Sequence, residues 1–269
     1  MRYIDQNDFI EKNINKNMIN MMSSTAKAIS PIIGLESLDG FKCYLSTSDF
    51  PLFNGIFIND CIKNTKEHFS KLNAYFSSKK VPFTWWWLSH SKIPLDVESE
   101  LKNYEFQNIG EYSGVAAELS NLKFSEITKE IEIKSITLDE EYDIFINIIS
   151  NAFQLTNELK HEFFKILSSY KTNGAITHYL GYYNGRVAGV ITSYCDGKSI
   201  GLYNAATEPE FRRMGVCSAL IQHIAKKGEK LGYKIIVSHI TNSSNLDPLV
   251  KQLGFELYSK IRSYCRKTM

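Results

Sequence analysis

The residues best suited to chemistry lie in one run, Thr207-Glu208-Pro209-Glu210-Phe211-Arg212-Arg213-Met214-Gly215-Val216-Cys217-Ser218-Ala219-Leu220. Arg212 and Arg213 bring positive charge, and Ser218 adds a hydroxyl. Gly215 has no Cβ, so a bulky anion can come close to the backbone there. Pro209 has a fixed φ and no N–H, so it stops a strand ladder. Before the run, Ile200 to Ala206 reads as a strand; after it, Val216, Leu220, Ile224 and Leu231 mark one face of a helix. A strand, a basic turn with a glycine and a helix together point free backbone N–H groups at one spot. The positive end of the helix dipole lies at that spot too, which suits an anion and above all a phosphate. The turn lacks the Gly-Lys-Ser/Thr of a Walker loop and the several glycines of a dinucleotide fingerprint, so it is neither. The bland alternative for the two arginines is solvated surface charge.

Periodicity supplies the elements around the turn. Ile131 to Ile136 alternates as a strand, and Glu140 to Phe153 and Glu158 to Tyr170 read as helices. Leu159, Phe163, Ile166, Leu167 and Tyr170 form one stripe on the second helix. His178 to Tyr183 and Arg186 to Cys195 flank Asn184-Gly185, a pair suited to a type I′ hairpin. Lys234 to Ile240 is a buried strand, and Asn242 to Leu253 a turn cluster with a short helix that Gly254 closes. The resulting order is strand, two helices, three strands, helix, strand, helix, strand.

The N-terminal half gives weaker signals. Phe50 to Ile58 and Val81 to Ser89 read as strands, Asn59 to Ser78 and Pro94 to Asn103 as helices, and Tyr112 to Leu119 as extended. Leu101-Lys102-Asn103-Tyr104-Glu105-Phe106 matches Val250-Lys251-Gln252-Leu253-Gly254-Phe255 at Lys and Phe, the hint of a repeat. Trp85, Trp86 and Trp87 are either strand core or a platform for a ligand. The charged, Ser/Thr-containing stretch from Ser120 to Glu130 reads as a linker and sets expected domains of 1–125 and 126–269.

Arg212, Gly215 and Pro209, with Ser218-Ala219-Leu220 behind them, resemble the pyrophosphate loop of the GNAT superfamily of acetyl-CoA-dependent N-acetyltransferases. Cys217 stands where that pattern has Gly or Ala. The element order and Leu253-Gly254-Phe255 are similar as well, so the resemblance covers Ile131 to the C-terminus. It implies an α+β GNAT fold: a central mixed, mostly antiparallel sheet flanked by helices. With the repeat it implies two such domains in tandem. The first is degenerate, because no Arg-x-x-Gly-x-Gly/Ala run occurs before residue 126.

The resemblance also implies chemistry. The sheet splays between its fourth and fifth strands, acetyl-CoA enters from one side as co-substrate, and a small-molecule or peptide amine enters from the other. Backbone groups of Ala205, Ala206 and Thr207 would pair with the pantetheine arm and polarise the thioester. Arg212, Arg213, Met214, Gly215, Val216, Cys217 and Ser218 would hold the pyrophosphate, mostly through N–H groups. Transfer would be direct in a ternary complex, with no cysteine nucleophile. The catalytic candidates are Tyr203, Asn204 and His239, with Glu208 nearby. His239 has the ordinary pKa for a base, and it is equally a polar residue at a strand end. Ser244 and Tyr258 are candidate acids. Asn242 and Asn245 either contact CoA or cap the following helix. Where many members carry a Tyr that protonates the leaving thiolate, this chain has Val250. The acceptor pocket would be built by the helices around Phe153 to Tyr170, with or without the N-terminal domain. A non-catalytic acyl-CoA-binding or regulatory protein is the alternative, and transfer of a longer acyl chain a third reading.

Composition excludes other classes. A formal net charge of +2 gives no electrostatic case for nucleic acid or membrane binding. No run reaches the roughly 18 apolar residues of a membrane helix, and Asp5 and Asp8 break the pattern of a signal peptide. Five scattered cysteines without a C-x-x-C, and histidines without H-x-x-x-H spacing, point to a reduced cytoplasmic protein with no metal site. Nothing in the sequence sets the oligomeric state.

Overall fold

The computed structural model describes residues 6–29, 35–38, 41–58, 64–88, 93–169, 174–241 and 247–266. In chain order the elements are α1 (Gln6–Ile29), β1 (Leu35–Leu38), β2 (Phe41–Tyr44), β3 (Gly55–Ile58), α2 (Thr65–Lys79), β4 (Thr84–Leu88), α3 (Leu95–Asn103) and β5 (Phe106–Glu118). There follow β6 (Ile131–Ser135), α4 (Asp139–Phe153), α5 (Asn157–Ser169), β7 (Ile176–Tyr183), β8 (Arg186–Cys195), β9 (Ser199–Thr207), α6 (Val216–Lys230), β10 (Ile235–Thr241), α7 (Asp247–Gln252) and β11 (Glu256–Arg266). No described helix is long and apolar enough to cross a membrane.

The chain forms two compact units, and neither is continuous in sequence. Unit 1 comprises 1–18, 115–240 and 244–257; unit 2 comprises 19–114, 241–243 and 258–269. In unit 1 the strands run β6-β7-β8-β9-β10, with the end of β5 beside β10. Every pair among β6, β7, β8 and β9 is antiparallel, while β9 and β10 are parallel and joined by α6. The Asn184-Gly185 turn between β7 and β8 has φ of 48° and 76°, as a type I′ hairpin requires. The two faces of this sheet differ. Val216, Leu220, Ile221 and Ile224 of α6 pack against Ile200, Leu202, Ile236 and Ile240 in the main apolar core. On the other face α4 lies over β8 and β9, with Phe145 edge-on to His178 at 5.2 Å.

In unit 2 the order is β1-β2-β3-β4-β11, and β3 and β4 are parallel and joined by α2. This repeats the parallel pair of unit 1. The hint of internal similarity extends to backbone detail. Asn64 before α2 and Gly215 before α6 both have positive φ, and so do the matched residues Glu105 and Gly254. One sequence expectation changes here, and the core reading of the tryptophans holds. Phe50 to Ile58 is not one strand: Pro51 starts a 3-10 turn through Phe53, and only Gly55–Ile58 is extended. Trp85, Trp86 and Trp87 are all buried; Trp85 stacks on Phe69 at 4.1 Å, and Trp86 Nε1 donates to Tyr44 Oη at 2.7 Å. They are core, not a ligand platform.

Candidate functional site

The basic turn before α6 forms as its residues dictate. Pro209–Phe211 makes one 3-10 turn after β9, and Phe211 drops into the core beside Val216. Those two anchors leave Arg212, Arg213, Met214 and Gly215 exposed between them. Arg213 and Gly215 have φ of 66° and 80°, and Gly215 is the residue that caps α6. The first helical hydrogen bond runs from Ala219 N–H to Gly215 C=O at 2.9 Å. The N–H groups of Val216, Cys217 and Ser218 therefore have no helical partner and remain for an anion. Arg212 Nε donates to Thr207 C=O at 3.4 Å, keeping its guanidinium beside the turn. Arg186 pairs with Glu210, so that carboxylate is offset at the edge of the basic turn. Burial pushes the Cys217 thiol up to about 11, so Cys217 is a protonated packing residue.

The turn is held close to the sheet by two facing glycines that periodicity does not single out. Gly181 of β7 pairs with Gly189 of β8. A Cβ at either would come within 3.1 Å of Val216 Cγ1. Glycine inside a strand is the sequence signal for such close approach.

Beside the turn, β9 changes course. Thr192 pairs with Tyr203 and Val190 with Ala206, so β9 carries one more residue than β8 between those points. The extra residue is a bulge, with Asn204 at φ 51°. Asn204 Nδ2 donates to Thr192 Oγ1 at 3.4 Å, and Thr192 Oγ1 lies 2.8 Å from His178 Nδ1. Across from the bulge, β9 and β10 stay in register only through Leu202 and Ser238, although both strands continue. Ser238 Oγ closes the paired part by donating to Leu202 C=O at 3.2 Å. Past that point no described residue of β10 pairs with β9. The two strands thus part beside a bulge, with a basic amide turn at the end of β9. Residues 135–255 match the acetyltransferase (GNAT) family.

Over that stretch the chain is similar to the GNAT acetyltransferases.

Solved structures agree with the GNAT fold over nearly the whole chain. A functionally unknown conserved protein from Staphylococcus epidermidis has a TM-score of 0.74 at 13% identity, covering 93% of this chain and 100% of its own. A GCN5-related N-acetyltransferase from Kribbella flavida has 0.69 at 11% identity, covering 93% and 96%. A tandem GNAT protein from the clavulanic acid biosynthesis pathway has 0.58 at 9% identity, covering 94% of each chain. At these identities the likeness is one of fold. No curated protein matches the chain in sequence.

The predicted catalytic residues Tyr203 and His239 lie where the strands part. Tyr203 and His239 are the first residues beyond the paired segment, and their rings stack at 6.0 Å and 26°. Burial holds the His239 pKa down at about 4, and neither ring nitrogen has a hydrogen-bond partner among the described residues. The sequence expectation of an ordinary histidine pKa is thus corrected: desolvation keeps this imidazole neutral and makes it a poor store for a proton. Burial raises Tyr203 well above the usual phenol range, so it stays protonated. Val250 is buried in the core with Leu253 and Phe255, and its side chain has no proton to donate. Tyr258 falls in unit 2. Asn242, Ser244 and Asn245 lie outside the described residues. Among the described residues no three His, Cys, Asp or Glu side chains gather to hold a metal.

Proposed function

We propose that the protein is an acetyl-CoA-dependent N-acetyltransferase acting on a primary amine. The observation that carries this reading is the cleft where β9 leaves β10 at Leu202 and Ser238, with the open amides of the α6 turn at its end. The N–H groups of residues 213–218 would take the pyrophosphate, helped by Arg212 and Arg213. The backbone of Ala205, Ala206 and Thr207, turned by the bulge at Asn204, would pair with pantetheine and donate to the thioester oxygen. Proximity and a fixed donor for the developing oxyanion then supply most of the rate.

The amine attacks as a neutral base. Its nitrogen bonds to the acyl carbon, the carbon–sulfur bond breaks, CoA leaves as thiolate, and the surplus ammonium proton passes to solvent. With a pKa near 4, His239 orients the amine as a hydrogen-bond partner and does not store its proton. With Val250 buried, the thiolate departs without a dedicated acid. Five scattered cysteines without a C-x-x-C fit a reducing cytoplasmic setting.

A second reading, a non-catalytic acyl-CoA-binding or regulatory protein, is favoured by Val250 alone. The experiment is a thermal-shift series with acetyl-CoA, CoA and dephospho-CoA, followed by thiol release with a panel of primary amines. At 100 times its Kd a ligand adds about 2.7 kcal/mol of stability. A shift together with thiol release supports the transferase; a shift without release supports the binder. No shift at millimolar ligand would remove both.

A further inference from the structure

The N-terminal helix enters unit 1 far from its place in sequence, because residues 1–18 belong to that unit. Its contact there is polar. Asn17 is fully buried and lies against the face of β9 turned away from α6. Asn17 Oδ1 accepts the Tyr203 hydroxyl at 2.7 Å, and Asn17 Nδ2 donates to Ser199 Oγ at 3.1 Å. Ser199, Gly201 and Tyr203 alternate along β9 and share that face. Asn17 bridges the outer two and occupies the room left by the middle one. A Cβ on Gly201 would lie 2.0 Å from Asn17 Oδ1 and 2.5 Å from the Tyr203 ring. The missing side chain at Gly201 and the polar bridge are separate observations of one fit.

The bridge fixes a proton. Because Asn17 Oδ1 takes the Tyr203 hydroxyl hydrogen, the phenol oxygen has only lone pairs left for a visitor. Tyr203 is the first β9 residue past the paired segment and stacks on His239, whose ring nitrogens have no partner among the described residues. We propose that Asn17 is a positioning residue that makes Tyr203 Oη a hydrogen-bond acceptor for an N–H of the incoming amine, so that α1 is part of the acceptor side of the site. This rests on the transferase reading above. It narrows the acceptor to an uncharged amine nitrogen received by neutral groups, since no carboxylate takes part in the bridge.

The test is a double-mutant cycle on the full-length protein with Asn17→Leu, Tyr203→Phe and the double variant. Thiol release from acetyl-CoA is followed with benzylamine, spermidine and a dipeptide amine as probe acceptors. Asn17→Leu lowers kcat with the best probe about tenfold and leaves KM for acetyl-CoA within about twofold. The double variant falls no further than Tyr203→Phe, because Asn17 acts through that hydroxyl. Asn17→Ala, which cannot crowd Gly201, serves if the leucine variant does not fold. Additive losses, or a rise in KM for acetyl-CoA matching the loss in kcat, would mean that Asn17 only packs the helix, and would overturn this proposal alone. Absence of thiol release by the wild type with every acceptor overturns the transferase reading and this proposal with it.

Discussion

His178 makes the stability of unit 1 acid-sensitive, and the size of the effect follows from its surroundings. It is a β7 residue facing α4, 3% exposed, with Thr192 Oγ1 of the neighbouring β8 at 2.8 Å and the Phe145 ring edge-on. Burial holds its pKa down at about 4, against 6.5 for an ordinary histidine. As pH falls, the unfolded chain takes up the proton first. The stabilisation from the neutral imidazole is complete above pH 6.5, declines between 6.5 and 4, and is gone below. One pKa unit is worth about 1.4 kcal/mol, so going from pH 7 to pH 5 removes roughly 2 kcal/mol through this group. His178→Gln keeps a polar atom near Thr192 and cannot titrate. Its loss of stability between pH 7 and pH 5 should be smaller than the wild type's by that roughly 2 kcal/mol, with the contribution of His239 unchanged in both proteins. Urea unfolding at the two pH values, at fixed ionic strength, measures it. Far-UV circular dichroism is the right signal, because Trp85, Trp86 and Trp87 all lie in unit 2 and their fluorescence does not report on unit 1. An equal pH dependence in wild type and variant would refute the reasoning, whatever the variant's stability at pH 7.

Three further outcomes follow from the same geometry. Gly201→Ala should destabilise the protein by about 1–3 kcal/mol, the usual penalty of overpacking, because its Cβ meets Asn17 and Tyr203; chemical denaturation checks this. Arg212→Glu should weaken acetyl-CoA binding about tenfold or more in calorimetry, since a charge-assisted contact of about 1.5–3 kcal/mol is replaced by repulsion; unchanged affinity would remove the turn as the pyrophosphate site. Cys217 should react with iodoacetamide at pH 8 about 100-fold more slowly than an ordinary thiol, because its thiolate fraction is cut by burial, and peptide mass spectrometry follows the rate.

The strand, turn and helix around Gly215 were legible because their signals are local. Pro209 and Gly215 punctuate the turn, and the apolar face of α6 announces the helix whose N-terminus it forms. The β7–β8 hairpin was legible for the same reason. What escaped depends on pairing across the sheet. The bulge at Asn204 exists only relative to Val190 and Thr192, and no periodicity within β9 reveals it. α1 escaped because its buried face is not apolar throughout: Asn13, Asn15 and Asn17 are buried among Ile10, Ile14 and Met18. A hydrophobic-face search passes over such a helix, and only Gly201, a glycine inside a strand, hinted that something must approach there. At Phe50 to Ile58 the apolar composition of a strand was overridden by the fixed φ of Pro51.

The pairing of β11 with β4 bears on how the protein is made. Thr84 meets Cys265 and Leu88 meets Ile261, so unit 2 cannot finish its sheet until every other described element has been synthesised. During translation the edge of β4, with its three consecutive tryptophans, waits without its antiparallel neighbour. An uncovered apolar edge of that kind recruits other strands, and sequence-distant pairings form slowly. Emergence of β11, and not of either half before it, is then the step at which the nascent chain escapes aggregation, and a chaperone that shields β4 would raise the yield of active protein.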